Sequence, residues 1–199
     1  MVIIALIGCY LIGSIPTAYL LVRWTKRVDI RTIGSGNIGA TNALRTAGPW
    51  AGVVVLLVDV LKGVVAAGAI PQWLLGSSAS AMALGCGLAA VLGHDFPCFL
   101  RFRGGKGVAT TLGVLGASAP SVAGLVVGVW LVVFFAFRYV SLGSLAAAMT
   151  IPISQLALHQ SLPQVLIGAT LAALIIVRHR GNIQRLLSGT EHRAWSRSH

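Results

Sequence analysis

Residues 103–107 read Arg-Gly-Gly-Lys-Gly, and an apolar helix is expected to begin directly after them, near Val108. A glycine-rich turn feeding a helix start is a common way to hold phosphate, because backbone N–H groups converge there and the positive end of the helix dipole faces the anion. Gly104, Gly105 and Gly107 would form the turn, Lys106 would supply charge, and Thr110 offers a hydroxyl inside the first helical turn. The spacing is not that of a P-loop, since Lys106 is followed by Gly107 rather than by Ser or Thr. A second candidate is the stretch IRTIGSGNIGATNALRTAG at 30–48. Gly34, Gly36 and Gly39 alternate there with Ser35, Asn37, Thr41 and Asn42, and Arg45 follows. Small residues let N–H groups point into one concavity, an anion nest, and the side chains add further donors. A plain flexible loop is the competing reading, but it leaves the ordered Asn, Thr and Arg spacing without a reason. The third candidate is RHRGNIQRLLSGTEHR at 178–193, where His179 and Asn182 are three residues apart and so share a helix face. Asp59 and Lys62 form a last pair, one helical turn apart inside an apolar run. Charges in such a run are costly and are usually paired or functional, so this pair is either structural or a support to the site. His94 and Asp95 are adjacent, so they point apart; they are expected to cap a span rather than to act as a catalytic pair.

Composition sets the elements that must position these residues. Hydrophobic residues make up 56% of the 199 residues and charged ones 10%, where a soluble domain carries about a quarter. Fifteen Lys+Arg stand against four Asp+Glu. A basic balance can signal nucleic-acid binding, but the apolar runs are too long for a soluble basic domain, so a lipid bilayer is the expected partner and nucleic acid is not. Cys9, Cys86 and Cys98 lack CxxC spacing, which argues against a disulfide framework and a metal site. The N-terminal run has no basic leader and no obvious cleavage site, and reads as a retained span.

Apolar runs place spans near 2–22, 50–70, 78–93, 108–119, 121–137, 141–158 and 162–177, some of them short for a ~30 Å core. The run 108–137 is broken at Ala119-Pro120-Ser121, and a turn at Pro120 makes two spans of it. The cations support that count. Arg23, Lys26, Arg27, Arg31 and Arg45, then Arg101, Arg103 and Lys106, then Arg138, then the cluster from Arg178 to Arg197 all fall on one side of a seven-span chain. The opposite loops near 71–77, 119–121 and 158–162 carry no Lys or Arg. Cations mark the cytoplasmic side. The expected fold is therefore an all-α integral membrane protein of about seven transmembrane helices forming one membrane-embedded domain over 1–199. Its N-terminus lies outside and its C-terminus in the cytoplasm. Ile183, Leu186 and Leu187 suggest a short interfacial C-terminal helix.

The motifs GSGNIGATN, DVLKG, GHDFPCFLRFRGGKGVAT and RHRGNIQRLLSGTE, in this order over essentially the whole chain, resemble the bacterial acyl-phosphate:glycerol-3-phosphate acyltransferase family, PlsY. Arg103 stands where the family pattern has Lys, and Ala66-Ala67 replaces a region that often bears proline. The resemblance implies transfer of a fatty acyl group from acyl phosphate to the sn-1 hydroxyl of glycerol 3-phosphate, the first step of phospholipid synthesis, at the cytoplasmic face of the bacterial inner membrane. The residues themselves suggest catalytic roles for His179, Asn182, Lys106 and Ser35, with the two glycine-rich segments as phosphate sites; His179 either takes the hydroxyl proton or orients glycerol 3-phosphate while a substrate phosphate takes it. Acyl phosphate is already activated, so neither ATP, CoA nor a metal cofactor is expected, and no obligate protein partner is evident. The HxxxxD pair of other glycerolipid acyltransferases is not present at His94, whose spacing reaches Phe99. Without a Ser/His/Asp context, direct attack by the glycerol hydroxyl is simpler than a covalent acyl-enzyme. A transporter or channel for a small anion is the alternative. It would place its site near the midplane with polar groups reaching both sides, whereas here the polar motifs crowd one side. A purely structural membrane protein explains neither glycine-rich segment.

Overall fold

The computed structural model describes residues 1–76 and 79–194. Ser78, where the third span was expected to begin, and Arg197 lie outside them. The fold is all-α, 80% helix. In chain order the helices are α1 (Val2–Ser14), α2 (Thr17–Lys26), α3 (Ala40–Ala47), α4 (Pro49–Val64), α5 (Ile70–Leu75), α6 (Ala79–Asp95), α7 (Val108–Ser118), α8 (Pro120–Phe137), α9 (Val140–Ala157), α10 (Leu162–Arg178) and α11 (Arg180–Leu187). Each apolar run expected to span is helical over most of its described residues. Five segments are long and apolar enough to cross a membrane alone: Val2–Lys26, Pro49–Leu75, Met82–Leu100, Pro120–Phe137 and Val140–Ala157. α10 and α11 meet this standard only together, with a 59° bend between them. α7 has 11 residues, about 16 Å of helix, roughly half a hydrocarbon core.

Three features differ from the sequence expectation. The first span is two helices, because the helix breaks at Ile15-Pro16 and resumes as far as Lys26. The second runs beyond 70 through a π turn at Val65–Ala69 directly ahead of Pro71. Proline brings no N–H to the ladder, and the wider π turn is one way for a helix to continue past it. The long polar connection after the first span contains α3. Ala43 and Ala47 are buried on its inner side with Ala51 and Val55 of α4, so the first connection is anchored rather than loose.

The chain divides into two compact units, Met1–Ala119 and Pro120–His199, and the boundary in sequence falls at the proline that interrupts the 108–137 run. In the first unit α1 packs on α6, and α4 on both α3 and α7. The α4–α7 crossing brings backbones into contact: a Cβ on Gly113 would lie 1.9 Å from the Val60 carbonyl oxygen. Small residues permit this approach, which is a main source of cohesion between helices in lipid. In the second unit α9 lies between α8 and α10.

Candidate functional site

The first glycine-rich segment is organised by one side chain. Asn42 is 1% exposed. Its Oδ1 accepts from the Ser35 N–H at 3.1 Å, and its Nδ2 donates to the carbonyls of Ile30, Ile33 and Asn37 at 3.2, 3.1 and 3.0 Å. Gly34 and Gly36 have φ of +60° and +68°, and Gly36 N–H donates to Ile33 O at 3.1 Å. Two of the N–H groups expected to line an anion nest, those of Ser35 and Gly36, are thus used inside the turn. Asn42 shapes the turn rather than lining it, which corrects its expected role. Of the side chains, Ser35 and Arg45 are exposed, Asn37 and Thr41 partly so. Gly39 precedes α3, which begins at Ala40. Asp29 braces the turn by capping the 3-10 turn Ile30–Thr32 and by pairing with Arg31 at 2.6 Å. The Arg31 hydrogen bonds hold the Asp29 carboxyl below the usual carboxylate range.

The second segment is packed onto the end of α6. Gly105 N–H donates to the His94 carbonyl at 3.0 Å. A Cβ on Gly104 would meet that same oxygen at 2.2 Å, and one on Gly105 would meet His94 Nε2 at 2.0 Å. These glycines serve close approach to α6 as much as access for an anion. Gly107, at φ +68°, turns the chain into α7. Lys106 is half-buried beside the α7 N-terminus, whose first N–H groups and dipole favour an anion. Thr110 is fully buried, so its hydroxyl does not face the loop surface as expected. Both segments rest on one buried cluster: Leu100, which leads into the second, packs with Ile30, Ile38 and Ala43 of the first and with Ala18 and Val22 of α2. The two cation-bearing loops therefore occupy the same end of the first unit.

Asp59 and Lys62 pair at 2.7 Å, both buried. Lys62 Nζ also donates to the Ile15 carbonyl at the α1–α2 break, and Thr17 Oγ1 donates to Asp59 Oδ1 at 3.1 Å. The pair fastens the broken first helix, which gives it a structural duty.

In the second unit His179 sits buried at the α10–α11 bend. Its Nδ1 is 2.8 Å from the Ile175 carbonyl. A carbonyl only accepts, so Nδ1 carries a proton, and Nε2 is the nitrogen that can accept when the ring is neutral. Asn182 Nδ2 donates to Glu191 Oε1 at 2.7 Å, and Ser141 Oγ donates to the same oxygen at 2.8 Å. Arg185 Nε donates to Glu191 Oε2 at 2.7 Å. Burial pushes the Glu191 carboxyl up, but the hydrogen bonds from Asn182, Ser141 and Arg185 outweigh it and hold the group below its ordinary value. Sequence reasoning passed over Glu191 and Ser141, and gave His94 only the capping of a span. The signal for Glu191 was its rarity, one of four acids in the chain and set in a basic tail. Ser141 gave none.

The chain matches the family model described as glycerol-3-phosphate acyltransferase over residues 3–189. It is 48% identical to glycerol-3-phosphate acyltransferase 2 of Moorella thermoacetica, over 98% of this chain and 99% of the relative. It is 44% identical to the glycerol-3-phosphate acyltransferase of Syntrophomonas wolfei, over 94% and 93%. Its fold is similar to a crystal structure of PlsY, an integral membrane glycerol 3-phosphate acyltransferase, in the glycerol 3-phosphate form. The TM-score is 0.90 at 41% identity, covering 97% of this chain and 95% of that one. The lysophosphatidic acid form of PlsY matches with a TM-score of 0.85 at 39% identity, covering 96% and 94%.

Proposed function

Because the chain belongs to the glycerol-3-phosphate acyltransferase family, we propose that it moves a fatty acyl group from acyl phosphate to the sn-1 hydroxyl of glycerol 3-phosphate. The products are 1-acyl-glycerol 3-phosphate and phosphate. Both reactants carry a phosphate and one carries a lipid tail, which suits cation-bearing loops at the end of apolar helices. The observation that carries the reading is the shared cluster of Leu100, Ile30, Ile38 and Ala43, which holds both loops at one end of the first unit. Exposed Ser35 and Arg45, with Asn37 and Thr41, are assigned to one phosphate, and Lys106 with the α7 N-terminus to a phosphate on its own loop.

The hydroxyl oxygen bonds to the acyl carbon, the bond from that carbon to the phosphate oxygen breaks, and phosphate leaves with the electron pair. The hydroxyl proton passes to a phosphate dianion, whose second pKa is near 6. An alcohol attacking so good a leaving group needs little base strength. We therefore assign His179 Nε2 to orienting glycerol 3-phosphate by accepting its hydroxyl hydrogen bond, with Asn182 beside it fixed by Glu191. Rate then comes from positioning and from cationic stabilisation of developing charge. The one-sided distribution of Lys and Arg supports seven crossings with the loops facing the cytoplasm. The test is purified protein given labelled glycerol 3-phosphate with either acyl phosphate or acyl-CoA. The expected result is 1-acyl product from acyl phosphate alone; product from acyl-CoA at a comparable rate would overturn the donor assignment.

A further inference from the structure

Asp59, Lys62, His94 and Asp95 are buried inside the first unit, at 2%, 5%, 7% and 0% exposed. Asp59 Oδ1 receives Lys62 Nζ at 2.7 Å and Thr17 Oγ1 at 3.1 Å. His94 Nδ1 lies 3.8 Å from the same oxygen. That is too long for a hydrogen bond, but it puts the ring against the buried carboxylate. The other end of the histidine reaches the glycine loop twice. Its carbonyl takes the Gly105 N–H at 3.0 Å. Its Nε2 fills the space a Gly105 methyl would need, 2.0 Å from that Cβ position. His94 thus lies near a buried carboxylate on one side and against the residue before Lys106 on the other.

We propose that His94 is a positioning residue for the loop that carries Lys106, with Asp59 holding the imidazole so that it clamps Gly105. The Asp59–Lys62 pair, besides fastening the broken first helix, then acts on substrate binding through His94. This rests on the reading that residues 104–107 hold a substrate phosphate. The glycine at 105 is explained by it. Its Cβ would meet only the far end of a side chain, an obstacle that yields easily if the ring is loose and stands firm if Asp59 holds it.

The experiment compares full-length purified variants His94→Ala, Gly105→Ala, Asp59→Asn and the double variant His94→Ala/Gly105→Ala. Thermal unfolding serves as the folding control. The reference substrate is the one whose KM rises in Lys106→Ala. His94→Ala is expected to raise that KM about tenfold with kcat changed less than about threefold, as loss of binding-loop order does. Gly105→Ala should do the same, and in the double variant it should add less than about twofold, because the obstacle is gone. Hydrogen exchange across 103–110 should quicken in His94→Ala and in Asp59→Asn. If Asp59→Asn does not fold, Gly105→Ala and the double variant carry the test. Folded His94→Ala with KM within about twofold of the parent overturns the proposal, as does a full tenfold addition in the double variant. If Lys106→Ala changes neither KM, the phosphate reading fails by itself. The clamp is then decided by exchange: faster exchange at 103–110 sustains it, and unchanged exchange overturns it.

Discussion

Asn42→Asp is nearly isosteric, so it isolates the hydrogen-bond work of one atom. The Nδ2 of Asn42 now faces three carbonyl oxygens, those of Ile30, Ile33 and Asn37, at 3.0–3.2 Å. The substitution puts an oxygen in its place, so attraction becomes lone-pair repulsion at a site only 1% exposed. Two N–H donors are lost, at about 0.5–1.5 kcal/mol each, and carbonyls are left unsatisfied at about 1–3 kcal/mol. The loop 30–39 therefore loses about 2–6 kcal/mol of local order. A loop that must refold before it binds weakens apparent affinity by its ordered fraction, and about 1.4 kcal/mol is a factor of ten. KM for the phosphate substrate held there should rise at least about tenfold, while α4 to α7 stay helical. The assay is steady-state kinetics on the purified variant beside Arg45→Ala. That residue is exposed, so its loss should raise KM without changing hydrogen exchange over 30–39. Folded Asn42→Asp with kinetics within about twofold of the parent would refute the claim that Asn42 builds the loop.

Glu191→Gln removes a charge that takes three hydrogen bonds and should lower unfolding stability by about 1–3 kcal/mol. The Glu191 pKa is depressed on folding, so its contribution is complete above the unfolded value near 4.3 and fades as pH falls below it. The parent's advantage over Glu191→Gln should vanish in acid unfolding below about pH 4, and a constant difference would contradict the assignment. Single cysteines at Arg45 and Ser188, in a background lacking Cys9, Cys86 and Cys98, should resist an impermeant maleimide applied to intact cells; labelling of either from outside would reject the orientation. His179→Gln should keep the basic limb of the pH–rate profile and lose about tenfold in rate, whereas loss of that limb with about a thousandfold drop would make His179 the base.

Helix content and the break at Pro120 were legible because apolar length and proline chemistry act locally. The phosphate loops were legible as places but not as geometries. Gly104 and Gly105 read as anion nests, yet they lie against the His94 carbonyl and ring, an approach set by tertiary packing. Asn42 and Thr110 carried donors suited to an anion and turned out buried, because α3 and α7 rotate them inward, which the glycine pattern does not encode. α3 itself was hidden in what read as a polar connection, where only Ala43 and Ala47 mark a buried side. Glu191 became a hub through a chain reversal at Gly189, φ +71°, that brings it back to Asn182. No spacing rule foretells that contact.

The central claim is that the glycine-rich loops at one end of the first unit hold the reactants' phosphates, and Lys106 tests it most directly. Lys106→Ala and the charge-keeping Lys106→Arg should be assayed with acyl phosphate and glycerol 3-phosphate after both are shown to fold. Loss of a charge-assisted contact of about 1.5–3 kcal/mol predicts a fall in kcat/KM of roughly tenfold to a hundredfold for Lys106→Ala, with partial recovery in Lys106→Arg. Folded Lys106→Ala with the parent's kinetics for both substrates would contradict the account.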